Sequence, residues 1–418
     1  MNVYLRTFGC RANQYDTEAV RALVESNGHT VVETIDAADA AVFNSCAVTS
    51  SAEAELRKVV RRAARERPGL KSVVMGCAAA LDDARPAARQ LRTLPTVHDV
   101  VGGADLLGIA KALDLDPVAG GLRTRHQSGT RALLRIQDGC DEHCTFCATT
   151  LARGANRSRP IDELVREAQS LAHGHTEIVI TGIHIGTYGT DIGSSLGELM
   201  ARLMHDVPAV RFRLSSIEAT ELDTRLVALL VGEPRRLAPH LHAPLQSGSD
   251  RLLKRMGRNW YTSATYSTAI ERIAGGMSIL GLGADIIAGF PGETSDDHRA
   301  TLALVEALPF TYLHVFPYSV RPGTAAERLP DHVSGAVAGD RAAELRALGA
   351  AKAAAYVAAR VGGTADTIVV GGPHERDGMT GDYLSAVPAD ETLPRGARFM
   401  ARLAIDRGRL MAHSIIND

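Results

Sequence analysis

Three cysteines crowd into one short stretch, Cys140-x3-Cys144-x2-Cys147. An iron–sulfur cluster normally takes four thiolates, so three on one loop leave one iron without a protein ligand and open to an incoming molecule. A structural zinc site wants four ligands in closed tetrahedral geometry. His143 could supply the fourth, although no second Cys-x-x-Cys pair is present to complete a ribbon or finger. The other three cysteines, Cys10, Cys46 and Cys77, are far apart in the chain, yet each follows a strand-like run. The gaps of 35 and 30 residues between them each fit one strand–helix unit. Ligands of parallel α/β sheets bind outside the carboxyl ends of the strands, so these three thiols are expected to converge at one sheet edge. The competing reading is three buried cysteines acting as small hydrophobes; strand-end loops are poor places for that.

The positions of these residues are set by an alternation of strands and helices. Val3–Thr7, Ala40–Asn44 and Ser72–Met75 read as strands, with helices from about Asp16 to Asn27-Gly28 and from about Ser51 to Arg67 between them. Residues 1–115 are therefore expected to form a Rossmann- or flavodoxin-like parallel sheet. Residues 116–130, Gly-rich and basic around Gly120–Gly129, read as a linker. Six further strands follow at Leu133–Gln137, Glu177–Thr181, Arg211–Ser215, His240–Ala243, Ala284–Phe290 and Tyr312–Tyr318. Six βα units within residues 131–360 predict an open, partial (β/α)6 TIM-type barrel with its chemistry at the strand C-terminal ends. The Ala/Arg-rich run Ala338–Arg360 is its exit helix. Residues 361–418 change to short strands with turns, at Asp366–Val370, Tyr383–Val387, Arg398–Ile405 and Leu410–Ile416, and predict a small antiparallel β-barrel.

Composition narrows the function classes. The chain has 418 residues, 45% of them hydrophobic, and a net charge of −2, so no global basic field advertises a nucleic-acid partner. The longest apolar run, Met277–Phe290, is broken by Gly281, Gly283, Asp285 and Gly289 and is not a membrane span. The N-terminus enters a strand without a charged and apolar leader. A cytoplasmic, membrane-free protein is expected, where disulfides are disfavoured and metal or catalytic roles for cysteine come forward.

The loop Gly139–Cys147, with Phe146 before the third cysteine, resembles the signature of the radical S-adenosylmethionine superfamily. Glu177–Gly182, Ser215–Glu218 and Asp285–Glu293 are similar to three later motifs of that superfamily, in order and each on its own strand. Thr7–Glu18 around Cys10, Asn44–Thr49 around Cys46 and Met75–Cys77 resemble the three N-terminal cysteine motifs of the methylthiotransferases within it. The final segment, with Gly378–Tyr383, is similar to their C-terminal TRAM-like RNA-binding barrel. Asn13–Tyr15, Gly182–Gly189 and His314–Thr324 are most similar to the branch that acts on N6-threonylcarbamoyladenosine in tRNA. Thr150, Ala219 and Ala78–Ala80 depart from the family pattern without removing a metal ligand.

The resemblance implies two [4Fe–4S] clusters, one on Cys10, Cys46 and Cys77 and one on Cys140, Cys144 and Cys147. It implies S-adenosylmethionine as radical initiator and methyl donor, contacted by Thr181, Gly182, Ser215, Ser216, Glu218, Gln246 and Gly289. The implied reaction places sulfur and then methyl on C2 of a tRNA adenine, an unactivated carbon whose chemistry the cofactor must carry. Implied partners are tRNA, an electron donor such as flavodoxin or ferredoxin, and a sulfur source; a monomer is expected. Residues 361–418 hold six Arg against eight Asp or Glu, so their RNA role rests on the resemblance, with Arg395, Arg398 and Arg402 as the candidates for a local patch. The helix with Arg57, Lys58, Arg61, Arg62, Arg65 and Arg67 is equally readable as a phosphate-binding or a solvated face. His184, His240 and His242 sit near strand ends, where lining a cavity competes with a hydrogen-bonded structural role. The alternatives are the same chemistry on isopentenyladenosine tRNA or a ribosomal protein, and a non-catalytic RNA-binding metalloprotein.

Overall fold

The computed structural model describes residues 1–47, 50–84, 90–117, 127–371 and 376–415. Val48 and Thr49 of the second cysteine motif, most of the expected linker, and Ile416 lie outside these described residues.

The first unit runs β1 (Asn2–Thr7), α1 (Arg11–Ser26), β2 (Thr30–Val32), β3 (Ala40–Ser45), α2 (Ser50–Glu66), β4 (Lys71–Gly76), α3 (Cys77–Ala84), β5 (Val97–Gly102) and α4 (Leu106–Ala112). Its strands form one parallel sheet in the order β2-β1-β3-β4-β5. The sequence reading lacked β2 and β5 because β2 is only three residues long and β5 carries His98 and Asp99 within its apolar run. Helix α1 begins five residues earlier than expected, directly after Cys10. Asn13, Tyr15 and Asp16 are polar or aromatic yet buried on its first turns, a burial that helix periodicity does not reveal.

The central unit contains β6 (Ala132–Arg135), β7 (Gln137–Asp138), α5 (Thr149–Arg153), β8 (Arg157–Ser158), α6 (Ile161–Leu171), β9 (Glu177–Thr181), α7 (Leu196–Asp206), β10 (Arg211–Leu214), α8 (Thr224–Gly232), β11 (His240–His242), α9 (Asp250–Arg255), α10 (Ser263–Gly275), β12 (Gly281–Ala288), α11 (Ser295–Ala307), β13 (Tyr312–Pro317) and α12 (Gly335–Arg360). Strands β6-β9-β10 and β11-β12-β13 make two parallel three-stranded sheets. The Phe212–Leu237 and Ser216–His242 bridges join them into the open six-stranded barrel. Helix starts are set by side-chain caps: Ser195 on Glu198, Asp223 on Leu226, and Thr262 and Thr294 in capping boxes, each satisfying an orphan backbone N–H of the first turn.

Alternation sorts the barrel strands by face. Ile178, Ile180, Phe212, Leu214, Leu241, Leu282, Ala284 and Ile286 turn outward into one core with the surrounding helices. The opposite face of the same strands therefore carries Glu177, Thr181, Arg211, Arg213, His240, His242, Asp285, Tyr312 and His314. The barrel has an apolar outer layer and a polar lumen.

Helix α12 leads to β14 (Thr364–Val370), β15 (Asp377–Thr380), β16 (Val387–Pro388), β17 (Arg398–Asp406) and β18 (Arg409–Ser414), ordered β15-β14-β17-β18-β16. The Met379–Ser385 bridge brings the first strand against the segment entering the last, so the sheet curls toward closure. It is not wholly antiparallel, as expected from sequence, because β16 pairs parallel with β18. The expected strand at Tyr383–Val387 opens instead with a turn, Tyr383 at φ +69°, and pairs through the Ser385 bridge and the short strand Val387–Pro388.

A buried ion cluster fastens this last unit to the barrel. Glu177 accepts from Arg211 at 2.6 Å and from Arg213 at 2.9 Å. The same two guanidiniums donate to the carbonyls of Asp366, Gly381 and Thr380. Glu177, Arg211 and Arg213 are fully buried, and the backbone oxygens add hydrogen bonds to those of the shared carboxylate, as buried charges require.

Candidate active site: two cysteine trios and a polar lumen

Cys10, Cys46 and Cys77 lie beyond the C-terminal ends of β1, β3 and β4, three adjacent strands of one parallel sheet. Neighbouring strands are about 4.8 Å apart, so the sheet brings the three loops together. Side chains then stitch them. Asn13 receives the Cys10 thiol at 3.2 Å and donates to Asn44 Oδ1 at 2.7 Å and to the Ser45 carbonyl at 2.9 Å. Ser45 Oγ donates to the Met75 carbonyl at 2.5 Å and accepts from the Ala79 N–H. Gly76 sits at φ +96°, and a Cβ there would lie 2.4 Å from Asn44 Oδ1, so this close approach needs glycine. Burial pushes the Cys77 thiol up to about 11, against the pull of Arg153, and the charges of Cys10 and Cys46 act in the same direction as burial.

In the barrel, each thiol of the second trio meets an N–H or O–H. Cys140 Sγ lies 3.6 Å from His184 Nδ1 and accepts from the Glu142 N–H at 3.4 Å. Cys144 Sγ accepts from Arg258 at 3.6 Å. Cys147 Sγ lies 3.1 Å from Thr149 Oγ1 and 3.4 Å from its N–H. Burial pushes the Cys144 thiol up to about 12, with Arg258 opposing it. Burial pulls His184 down, but its bonds to Cys140 and Glu221 prevail and raise it to about 10.

The remaining expected contacts are distributed around this mouth. Thr181 ends β9, and the Gly182 loop is held by Gln137, whose Oε1 accepts from the N–H groups of Ile183 and His184 at 3.0 and 2.9 Å. Ser215 is buried, whereas Ser216 is exposed and bridges to His242. Glu218 is buried, with Oε1 2.5 Å from Arg258 and Oε2 without a partner among the described residues. Gln246 sits in the left-handed region at φ +62° while its backbone pairs with Asp285 and Ile287. The Gly289 N–H donates to Glu293, which Arg341 holds.

The two trios are linked by α5, which begins two residues after Cys147 and ends at Arg153. Arg153 Nε donates to Cys77 Sγ at 3.3 Å, and its other nitrogens bind Asp16 at 2.7 Å and Asp138 at 3.1 Å. Five helical residues span about 7.5 Å, so this short helix ties the loop of Cys147 to Cys77. Beside this seam, Gly102–Asp105 and Arg135, Arg157 and Arg159 line a cleft of about 470 Å³. Arg153 and Arg258 had no place in the sequence reading. Both are isolated arginines in irregular or short elements, and only their contacts mark them.

The candidate RNA residues are unlike one another. Arg395 is exposed in a turn. Arg402 is exposed, with one donor on the Gly362 carbonyl. Arg398 is committed inward, to Asp366 at 2.5 and 2.9 Å and to the Arg235 carbonyl. On α2, Arg57 and Arg62 pair with Glu53 and Glu66, and just beyond it Arg67 binds backbone carbonyls.

Residues 2–102 match the model of Uncharacterized protein family UPF0004, and residues 134–305 match that of the Radical SAM superfamily. The chain is 36% identical to the threonylcarbamoyladenosine tRNA methylthiotransferase MtaB of Bacillus subtilis, over 83% of this chain and 80% of that one. The chain belongs to the radical S-adenosylmethionine methylthiotransferase family. The Thermotoga maritima MtaB is 37% identical, over 78% of this chain and 77% of its own. The tRNA-2-methylthio-N(6)-dimethylallyladenosine synthase of Sorangium cellulosum is 36% identical, over 89% and 82%. A radical S-adenosylmethionine methyltransferase, TsrM from Kitasatospora setae, shares the fold with TM-score 0.53 at 14% identity, over 78% of this chain and 77% of that one. Like other members of its family, this methylthiotransferase uses S-adenosylmethionine and [4Fe–4S] clusters. The donor set fits them: six cysteines outside disulfides stand in two groups of three, and Glu218 Oε2, without a hydrogen-bond partner among the described residues, is a buried acceptor suited to a ligand hydroxyl. No helix among the described residues is long and apolar enough to cross a membrane.

Proposed function

We propose that this enzyme converts N6-threonylcarbamoyladenosine in tRNA, at the base adjacent to the anticodon, to its C2-methylthio derivative. The observation that supports this reading is the Arg153–Cys77 contact of 3.3 Å, which ties the N-terminal trio to the helix following the barrel trio, as delivery of sulfur to a radical site would require. The MtaB relatives named for this substrate support the choice of base. Cys10, Cys46 and Cys77 would hold one cluster and Cys140, Cys144 and Cys147 the other, with Thr181, Gly182, Ser215, Ser216, Glu218, Gln246 and Gly289 around S-adenosylmethionine. When bound, these groups supply the radical, the sulfur and the methyl group.

The chain's own residues prepare that chemistry. Arg258 and His184 stand against Cys144 and Cys140, and Arg153 against Cys77. Positive partners and hydrogen bonds at ligand sulfurs tune a cluster's potential. Glu218, fixed by Arg258, offers its second oxygen to a ribose hydroxyl. Barrel walls and the N-terminal sheet edge exclude water from a reactive radical. The tRNA base must leave its stack to enter, and Arg395 and Arg402 are the surface cations assigned to tRNA. Units 1–115, 131–360 and 361–418 divide the work into sulfur site, radical site and RNA grip. An electron donor such as flavodoxin or ferredoxin and a sulfur source complete the cycle, with the monomer working in the cytoplasm.

Mass spectrometry of tRNA nucleosides from a deletion strain tests the reading. Loss of the methylthio group from threonylcarbamoyladenosine alone is the expected result. Its loss from isopentenyladenosine, or an unchanged profile, would overturn the substrate assignment.

A further inference from the structure

Inside the barrel, His242 Nε2 and His314 Nδ1 lie 3.0 and 3.3 Å from the same oxygen of Asp285. His242 Nδ1 is 3.0 Å from the Tyr312 hydroxyl, which is 2.8 Å from His240 Nε2. His240 in turn stacks on Tyr383 of the C-terminal unit, centroids 4.3 Å apart. Gly283 makes this possible, since a Cβ there would sit 2.0 Å from the Tyr312 ring. The result is a polar column from three adjacent strands, β11, β12 and β13. Its side chains become more exposed toward one end: His242 is 8% exposed, Asp285 28% and His314 52%.

The proton positions along the column follow from one atom. His240 is buried and its Nδ1 has no partner among the described residues. A bare lone pair there costs less than an unsatisfied N–H, so the proton belongs on Nε2 and points to Tyr312. Tyr312 then donates to His242 Nδ1, and His242 keeps its proton on Nε2, facing Asp285. Both nitrogens of His242 are thereby used. His314 turns Nδ1 to Asp285, and its Nε2, on the most exposed ring of the column, is the atom left to meet a ligand. Phe316, two residues on along the same face of β13 and 42% exposed, offers an aromatic surface beside it, of the kind on which bases stack.

We infer that His314, braced by Asp285 and His242, is the subsite that reads the polar N6 substituent of the substrate base. This rests on the proposed function. A threonylcarbamoyl group carries a carboxylate, a hydroxyl and a urea-like amide; an imidazole backed by a carboxylate on its far nitrogen is built to bond such groups. An isopentenyl group offers no hydrogen bond, and seating it here would leave these groups desolvated and unpaired. Sites built to bond a polar group reject analogues lacking it far more strongly than apolar pockets reject extra atoms.

The test uses the reconstituted enzyme and fluorescent anticodon stem-loops that carry threonylcarbamoyladenosine, isopentenyladenosine or plain adenosine. Wild type is expected to bind the threonylcarbamoyl RNA about tenfold or more tighter than the plain one, one hydrogen-bonded contact being worth roughly that. His314→Phe should erase this difference while leaving plain-RNA affinity within about twofold and iron content unchanged; His314→Gln should recover part of it. A preference that survives in His314→Phe overturns the inference. So does an extra equivalent of zinc, retained by wild type after dialysis and lost in the variant, which would make the trio a metal site. Failure of wild type to methylthiolate the threonylcarbamoyl RNA at all would instead overturn the proposed function.

Discussion

The guanidinium of Arg153 donates to the thiol of Cys77 from 3.3 Å, although one ends helix α5, the other begins helix α3 and the two lie 76 positions apart. It also closes a buried pair with Asp16 at 2.7 Å. One side chain therefore couples the edge of the N-terminal sheet to the loop region of the barrel cysteines. Replacing it strips Asp16 of one of two arginine partners, Arg135 being the other, and removes a donor from the Cys77 sulfur.

Arg153→Met is expected to lower the stability of the domain contact by about 1.5–3 kcal/mol, the usual worth of hydrogen bonds to a charged group, Asp16 keeping Arg135 as its counter-charge. It should also reduce iron retained on the N-terminal cysteines. Iron per chain after reconstitution would fall from about eight toward about four, with the barrel cluster's spectrum kept. Iron analysis with electron paramagnetic resonance checks it, and full retention at both sites would refute the linkage.

Cys144→Ala should give the complementary loss. About four iron remain, on Cys10, Cys46 and Cys77, and reductive cleavage of S-adenosylmethionine stops. A Cys46→Ala variant should still release deoxyadenosine while making no methylthio product. Liquid chromatography of the two products separates the variants.

Glu218→Gln keeps the side-chain volume but removes the charge that pairs with Arg258 and weakens the acceptor at Oε2. S-adenosylmethionine affinity is expected to fall about tenfold, corresponding to about 1.4 kcal/mol, while iron content holds. Anaerobic calorimetry measures this; an unchanged dissociation constant would remove Glu218 from the cofactor site.

Acid stability should report on Glu177. Burial alone would raise this carboxyl, but Arg211 and Arg213 hold it well below the ordinary range, and burial lowers Arg213 as well without discharging it. A depressed folded-state pKa stabilises the protein above the unfolded value of about 4.3, and that stabilisation is lost as pH falls toward the folded value. Glu177→Gln should cost about 3–5 kcal/mol at neutral pH by leaving buried Arg213 without its counter-charge and Arg211 with Asp366 alone. Its stability should then change less than that of wild type between about pH 5 and 3, as pH falls through the free carboxyl pKa of about 4.3. Circular dichroism across that range checks both the loss and the flattened slope.

The sequence by itself determined the chemistry. The cysteine spacing and the alternation of strands and helices placed all six thiols at strand ends and predicted the parallel sheet and open barrel, because side-chain period and turn residues are local properties. It missed β2 and β5, where a strand was too short or carried polar residues. It also misread the start of α1, where a buried polar surface breaks the usual pattern. Only the tertiary structure decided which residues serve the thiols. Arg153 reaches Cys77 across two units, Arg258 reaches Cys144 from 114 positions away, and the His242–Asp285–His314 column exists only because three parallel strands lie side by side. Contacts between distant segments are set by sheet register and packing, and these leave no periodic trace along the chain.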